Sequence, residues 1–389
     1  MQTDSIQDLN IVFKISERCN LKCDYCYFFF GGDETWKQHP PLVPRDVVHS
    51  LGAFAARAAR DHNIPAITLI FHGGEPLLMS RPRFAEKCES LRSYENGFQF
   101  NFGLQTNGVL VDEEWVSLFE RFKISVGVSL DGPQSINDLH RLDFKGGSSY
   151  AGTVAGLRRM QDAAAQGRMA DPGLLSVINP HADGAAVYRH FAHDLGVRRM
   201  SFLTPDYTWD SFIGKEVIQG VERFLASALR AWLSDKNPKV RIRLFSELMA
   251  AMLDVRSMDL VQTYRDDYRN IISVSSNGDL GPEDTLKILD PRFRSLGLNV
   301  SKNDLSELTS TSIWREQAEA ATKRPADCET CDWWKLCKAG RPVNRYSRQR
   351  GFANRSLYCD GLKDMYAEIG AFLVRNGMPL SELALRIAS

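Results

Sequence analysis

The chain has 389 residues, with 48 Lys and Arg against 48 Asp and Glu. That length exceeds one ordinary domain and suits a large barrel with an appendage, while the balanced charge excludes nucleic acid or any other partner chosen by bulk charge. No apolar run approaches the ~18 residues of a membrane span, and the polar stretch Met1 to Asn10 lacks the basic and apolar regions of a signal peptide. A cytoplasmic protein with no membrane partner is expected.

In a reducing compartment the eight cysteines do not read as disulfides. Three lie at 19–26 and four at 328–359, and Cys88 stands alone. Cys88 falls on the helical stretch Arg83 to Tyr94 and reads as a small buried hydrophobe.

The first strand signal is the apolar run Ile11 to Ile15. It leads into Cys19, Cys23 and Cys26, spaced C-x3-C-x2-C, with Tyr25 and Tyr27 around the last cysteine. Three thiolates on one loop can bind three irons of a [4Fe–4S] cube and leave the fourth iron open. Fully ligated clusters use four cysteines. A zinc knuckle or three core cysteines are the other readings, although structural zinc wants four ligands in paired spacings.

Helical spacing follows from Pro44 to Asp61. Strand-like runs then come at Ile67–Phe71, Phe98–Leu104, Ile124–Leu130, Leu174–Ile178 and Met200–Leu203. Helical patterns separate them at Arg83–Tyr94, Glu113–Phe122, Tyr150–Gln166 and Ala185–Leu195. Such alternation means βαβ units and a parallel sheet, here of six strands. Chemistry collects at the C-terminal strand ends of parallel barrels. Those ends carry His72-Gly73-Gly74-Glu75-Pro76, Gln105-Thr106-Asn107-Gly108, Ser129-Leu130-Asp131-Gly132-Pro133 followed by His140-Arg141, and Phe202-Leu203-Thr204-Pro205-Asp206. Paired glycines let the backbone approach a ligand, and they also mark a plain turn.

Lys215–Ser234 reads as an amphipathic helix whose apolar stripe is core packing. Ile271–Val274 runs into Ser276-Asn277-Gly278-Asp279, a hairpin signal. Cys328, Cys331, Cys337 and Cys359 suit a structural zinc or a second cluster, since thiolate count alone does not choose the metal.

Taken together, the three-cysteine loop, GGEP, TNG and SLDGP-HR motifs resemble those of the radical S-adenosylmethionine (SAM) enzymes. The resemblance implies an α/β fold: a partial (β/α)6 barrel with a C-terminal iron–sulfur domain of the SPASM type. It places the barrel at 1–212, a helical bridge at 213–270 and the auxiliary-cluster domain at 271–389. It implies that Cys19, Cys23 and Cys26 hold a [4Fe–4S] cluster whose open iron chelates SAM. SAM would then meet Tyr25, Gly73, Gly74, Glu75, Pro76, Asn107, Ser129, Asp131, Arg141 and Leu203. The SPASM resemblance makes Cys328, Cys331, Cys337 and Cys359 the ligands of one auxiliary [4Fe–4S] cluster. A complete SPASM domain has about seven cysteines, and none follows Gly278 here.

The stretch from Gly278 through Asp284, Leu286 and Lys287 resembles the cyclophane-forming radical SAM/SPASM peptide maturases of the XyeB and GrrM type. That resemblance implies cross-linking, within a ribosomally made precursor peptide (leader and core), of a side-chain Cβ to an aromatic ring, with an external electron donor such as flavodoxin or ferredoxin. Asp284, Asp206 and Asp210 are candidate proton acceptors, each equally readable as a solvated or capping carboxylate. With 18 residues ahead of Cys19, the leader is expected to dock elsewhere on the chain or on a separate protein. Two other functions fit the sequence. One is an anaerobic sulfatase-maturating enzyme, which forms formylglycine from Cys or Ser. The other is a non-catalytic metal scaffold that binds peptides.

Overall fold

Strand β1, Leu9–Ser16, buries Leu9, Ile11, Phe13 and Ile15, as the apolar run before the cysteine loop predicts. Its last four residues are buried in succession, so Lys14 is enclosed too, at 1% exposure. The computed structural model describes residues 8–253 and 270–387. Most of the polar N-terminal stretch, and the part of the expected bridge from 254 to 269, lie outside the described residues.

The chain forms two compact units, and each draws on several segments. The first contains the described residues of 1–129, 137–172 and 268–316. Here β1 pairs in parallel with β2 (Ala66–Gly73), β2 with β3 (Gln99–Thr106), and β3 with β4 (Ser125–Ser129). Helices Arg45–His62, Arg81–Arg92 and Glu113–Phe122 return the chain between them, and Tyr150–Ala165 follows β4. The helix ends obey local chemistry. Asp112 accepts from the Trp115 N–H at 3.0 Å at one start, and Asn63 and Lys123 take left-handed conformations at two ends. Phe84 stands edge-on to Phe71 at 5.0 Å and to Trp115 at 5.3 Å, which welds two helices to the sheet. Each such ring contributes about 2 kcal/mol by burial.

The second unit contains the described residues of 130–136, 173–267 and 317–389. Strands β5 (Gly173–Val177), β6 (Arg199–Leu203) and β7 (Arg241–Ile242) run parallel. Helix Lys215–Asp235 buries Val221, Phe224, Leu225 and Leu229, so its apolar stripe is core, and Phe224 packs edge-on to Phe202 at 5.1 Å. The helical run expected over Ala185–Leu195 starts as α-helix at Gly184–Arg189 and closes as a π turn at His190–Asp194.

All six expected strands form, and β7 is an addition too short to carry a periodic signal. The hairpin forms as well. Strand β8 (Ile271–Val274) pairs antiparallel with β9 (Leu280–Gly281), and Gly278 in the turn has φ +89°. Its position differs from the division at 270/271. β8 lies parallel to β1, Asn10 opposite Ile271 and Phe13 opposite Val274, so the hairpin shares a unit with the cysteine loop.

Candidate active site

The cysteine loop hangs on backbone contacts at the C-terminal ends of β1 and β2. Gly74 N–H donates to the Ser16 carbonyl and Glu75 N–H to the Arg18 carbonyl, both at 2.8 Å. Gly73 sits at φ +130°, and a methyl built there would collide with the Ser16 carbonyl oxygen. At Gly74 it would collide with that of Arg18. Close approach of the two chain segments therefore requires both glycines. Lys22 N–H bonds the Leu142 carbonyl at 2.7 Å and clamps the loop from another side.

Glu75 is fully buried and accepts three bonds: from Leu77 N–H at 3.0 Å, Thr106 Oγ1 at 2.8 Å and Asn107 N–H at 2.8 Å. Burial pushes its carboxyl up, against these bonds. Asn107 in turn donates from Nδ2 to Asn20 Oδ1 at 2.7 Å, inside the cysteine loop. The GGEP and TNG segments thus brace that loop. Pro76 opens the short 3-10 turn that follows. Arg141, 7% exposed, donates to the Tyr25 hydroxyl at 2.9 Å, and Ser129 Oγ accepts from Gln105 Nε2 at 2.8 Å.

Asp284 lies in the same unit and is 5% exposed. Its Oδ2 accepts from both the Lys14 ammonium and the Tyr27 hydroxyl. Burial alone would raise this carboxyl, but the Lys14 cation holds it well below the usual carboxylate range. His72 Nδ1 accepts from Gly73 N–H at 2.8 Å and lies 3.1 Å from Lys14 Nζ, which leaves the ring proton on Nε2. Burial, then the Lys14 cation, pulls the His72 pKa down to about 3, so the ring is neutral. Lys14 and His72 are the residues that motif reading passed over. The available signal was a lysine inside an apolar strand, Ile11-Val12-Phe13-Lys14-Ile15.

The remaining predicted residues fall in the second unit. Asp131 Oδ1 accepts from Val177 N–H at 3.0 Å and joins the turn after β4 to β5. Leu203 ends β6. Asp206 pairs with Arg341 at 2.9 Å, and the exposed Asp210 accepts from Arg348 N–H at 2.8 Å. Cys328, Cys331, Cys337 and Cys359 line one cavity together with Trp333 and Trp334. Arg324 bonds the carbonyls of Cys328 and Cys331, each at 2.9 Å. Arg345, 2% exposed, bonds those of Phe352, Ala320 and Lys338. Neither arginine was singled out from sequence.

Both cysteine sets suit metal clusters. Burial first, with Glu75, Cys23 and Cys26 adding, pushes the Cys19 thiol up to about 12. Burial, with Cys337, Cys359 and Cys331 adding, pushes Cys328 up to about 11. Thiolates crowded this way need cations to remain ionised. Cys88 is fully buried in helix Arg81–Arg92, as expected.

The description of the Radical SAM superfamily matches residues 13–166, the stretch holding the cysteine loop, GGEP, TNG and Arg141. Residues 13–166 are thus similar to the Radical SAM superfamily. The chain is 27% identical over 360 residues to a cysteine-type anaerobic sulfatase-maturating enzyme of Clostridium perfringens (strain 13 / Type A), covering 90% of this chain and 93% of the relative. A serine-type anaerobic sulfatase-maturating enzyme of Bacteroides thetaiotaomicron is 22% identical over 379 residues, covering 91% and 87%. A structure described as native anSMEcpe with bound AdoMet and Cp18Cys peptide shares the fold. Its TM-score is 0.77 at 23% identity, over 95% of this chain and 98% of that one. The expected architecture, a radical SAM α/β fold with a parallel sheet and a SPASM-like C-terminal part, is borne out.

The cyclophane expectation is corrected. Relatives that span nearly the whole chain include sulfatase maturases of both the cysteine and the serine type. The segment that suggested cyclophane chemistry has a packing explanation. Asp284 pairs with Lys14, Leu286 is fully buried, and Lys287 Nζ donates to Ser275 Oγ at 3.3 Å. Burial and pairing account for the segment without any cross-linking chemistry. Among the described residues no helix is long and apolar enough to cross a membrane.

Proposed function

We propose that this radical SAM enzyme oxidises the side chain of a cysteine or serine in a peptide to an aldehyde, forming formylglycine. The observation that supports this reading is the likeness to sulfatase-maturating enzymes, which extends over nine-tenths of the chain and so includes the part beyond the superfamily match. Bound SAM supplies the means of removing a hydrogen atom from the substrate carbon.

In this reading Cys19, Cys23 and Cys26 hold the cluster that binds SAM, and Cys328, Cys331, Cys337 and Cys359 hold the auxiliary one. Arg141 and Ser129 take the SAM carboxylate, a planar anion suited to a guanidinium. Glu75 acts through the loops it braces: all three of its bonds go to the Leu77 and Thr106–Asn107 segments. Asp284, enclosed in the unit of the cysteine loop, is the proton acceptor, whereas Asp206 and Asp210 are held by Arg341 and by Arg348 N–H. Electrons enter from an external low-potential donor of the flavodoxin or ferredoxin kind.

The test is anaerobic incubation of the reconstituted enzyme with SAM, a reductant and synthetic peptides carrying one Cys or one Ser, followed by a carbonyl-reactive hydrazide and mass spectrometry. A hydrazone formed in step with 5′-deoxyadenosine is expected. SAM cleavage coupled to a modified peptide that never reacts with the hydrazide overturns the reading.

A further inference from the structure

Lys14 is the most enclosed charge beside the candidate proton acceptor. It lies on β1, which the superfamily match includes, yet no motif names it. At 1% exposure it cannot stay charged without partners. Its ammonium reaches three side chains from three elements: Asp284 after the β8–β9 hairpin, the Tyr27 hydroxyl at 2.9 Å, and His72 Nδ1 at 3.1 Å at the end of β2. Tyr27 also donates to Asp284, on the same oxygen, Oδ2. Oδ1 receives neither bond.

We propose that Lys14 is a positioning residue for proton removal: by pinning Oδ2 of Asp284 together with Tyr27, it orients the carboxylate with Oδ1 toward the substrate and keeps it ionised. The proposal rests on the aldehyde-forming reading above. Converting –CH2OH to an aldehyde removes one hydrogen atom, one electron and one proton. SAM chemistry accounts for the hydrogen atom and the auxiliary cluster for the electron. The proton goes from the substrate hydroxyl to Asp284 Oδ1 as the C–O bond becomes C=O. For –CH2SH the same losses give a thioaldehyde, which water converts to the aldehyde with release of hydrogen sulfide.

The alternatives around Asp284 are poorer acceptors. Tyr27 is itself a donor to the carboxylate, and burial pushes its phenol well above the usual value. His72 has its Nδ1 lone pair engaged by Gly73 N–H, and Lys14 opposes a second positive charge on the ring. The other ionisable groups nearby are Glu283 and Lys287 on Asp284's own segment, Cys26, which the Lys14 charge acts on, and Asp33 and Glu17, which act on Lys287. Without Lys14 the largest opposition to burial is gone and only His72 and the Tyr27 bond still act against it, so the Asp284 carboxyl rises and holds a proton to higher pH.

The experiment compares reconstituted wild type with Lys14→Met, Asp284→Asn and the double variant. Three readouts are followed from acid to alkaline pH: aldehyde formed per 5′-deoxyadenosine, deoxyadenosine itself, and the infrared carboxyl band. Lys14→Met is expected to keep deoxyadenosine formation and to lower aldehyde per deoxyadenosine at least tenfold at neutral pH. The yield should recover as pH rises through the elevated carboxyl value. A protonated-carboxyl band should appear in Lys14→Met and vanish in the double variant. A pH-independent loss with no new band overturns the proposal, because it leaves Lys14 a packing role alone. If Lys14→Met does not fold, the double variant strands no charge and should fold; an equally unfolded double variant also overturns the proposal. If wild type makes no aldehyde, the functional reading fails, while the infrared band still reports whether Lys14 controls Asp284.

Discussion

The two cysteine sets are held by different means. The three-cysteine loop is framed by backbone: the ends of β1 and β2 touch through Gly73 and Gly74, and Lys22 N–H bonds Leu142. Its frame is made by the paired strands β1 and β2. The four-cysteine cavity draws its ligands from 328–359, on short helical turns and the first residue of helix Cys359–Arg375. Arg324 pins the carbonyls of Cys328 and Cys331, and Arg345 ties together those of Ala320, Lys338 and Phe352. In such a loop-rich region four metal bonds are part of the folding energy. Under the proposed function, three ligands would leave a coordination site for SAM, while four would close the cluster and leave it electron transfer.

That contrast breaks first at the ligands. Changing Cys19, Cys23 and Cys26 together to Ala should abolish 5′-deoxyadenosine formation while iron remains on the auxiliary site and far-ultraviolet circular dichroism stays near wild type. Persistent SAM cleavage would end the assignment of the open cluster to this loop.

The reverse cut is Cys359→Ala. SAM cleavage should survive and aldehyde should not, since hydrogen removal precedes electron transfer; zinc, having no redox chemistry, could not stand in. Unfolding of the second unit is the competing outcome, and circular dichroism with retained SAM-cluster iron separates them. Undiminished aldehyde in a folded variant lacking the second cluster would show that the cluster is not the electron acceptor.

The framing glycines come next. Gly73→Ala combines positive φ with a collision against the Ser16 carbonyl. It should destabilise the first unit by about 3 kcal/mol, read as a lowered denaturation midpoint together with lost SAM-cluster iron. A variant as stable as wild type would mean that the two strand ends separate without cost.

The smallest effect is expected at Arg141→Lys, where a planar fork gives way to a point charge. SAM affinity should fall by about tenfold, roughly 1.4 kcal/mol, with both clusters intact by iron and sulfide analysis. Unchanged affinity would leave Arg141 only its bond to Tyr25.

The sequence by itself determined what local pattern and chemistry can carry. Period-two and period-3.6 runs located all six barrel strands and the helices between them, because burying one face of a strand or helix imposes that period. Asn277-Gly278 located the hairpin, because its turn needs positive φ. Cysteine spacing marked two sets, and the structure brings Cys328, Cys331, Cys337 and Cys359 to one cavity. The segment Asp284-Thr285-Leu286-Lys287 resembles a cross-linking signature in sequence, yet all four residues are buried, with Asp284 paired to Lys14 and Lys287 bonded to Ser275. Only the tertiary structure decided that Asp284 meets Lys14, since 270 residues separate them and no local rule spans that distance. It likewise set β8 beside β1 and brought the hairpin into the unit of the cysteine loop. Strand pairing is chosen by which edges and buried faces fit, a property of the assembled sheet that no single segment contains.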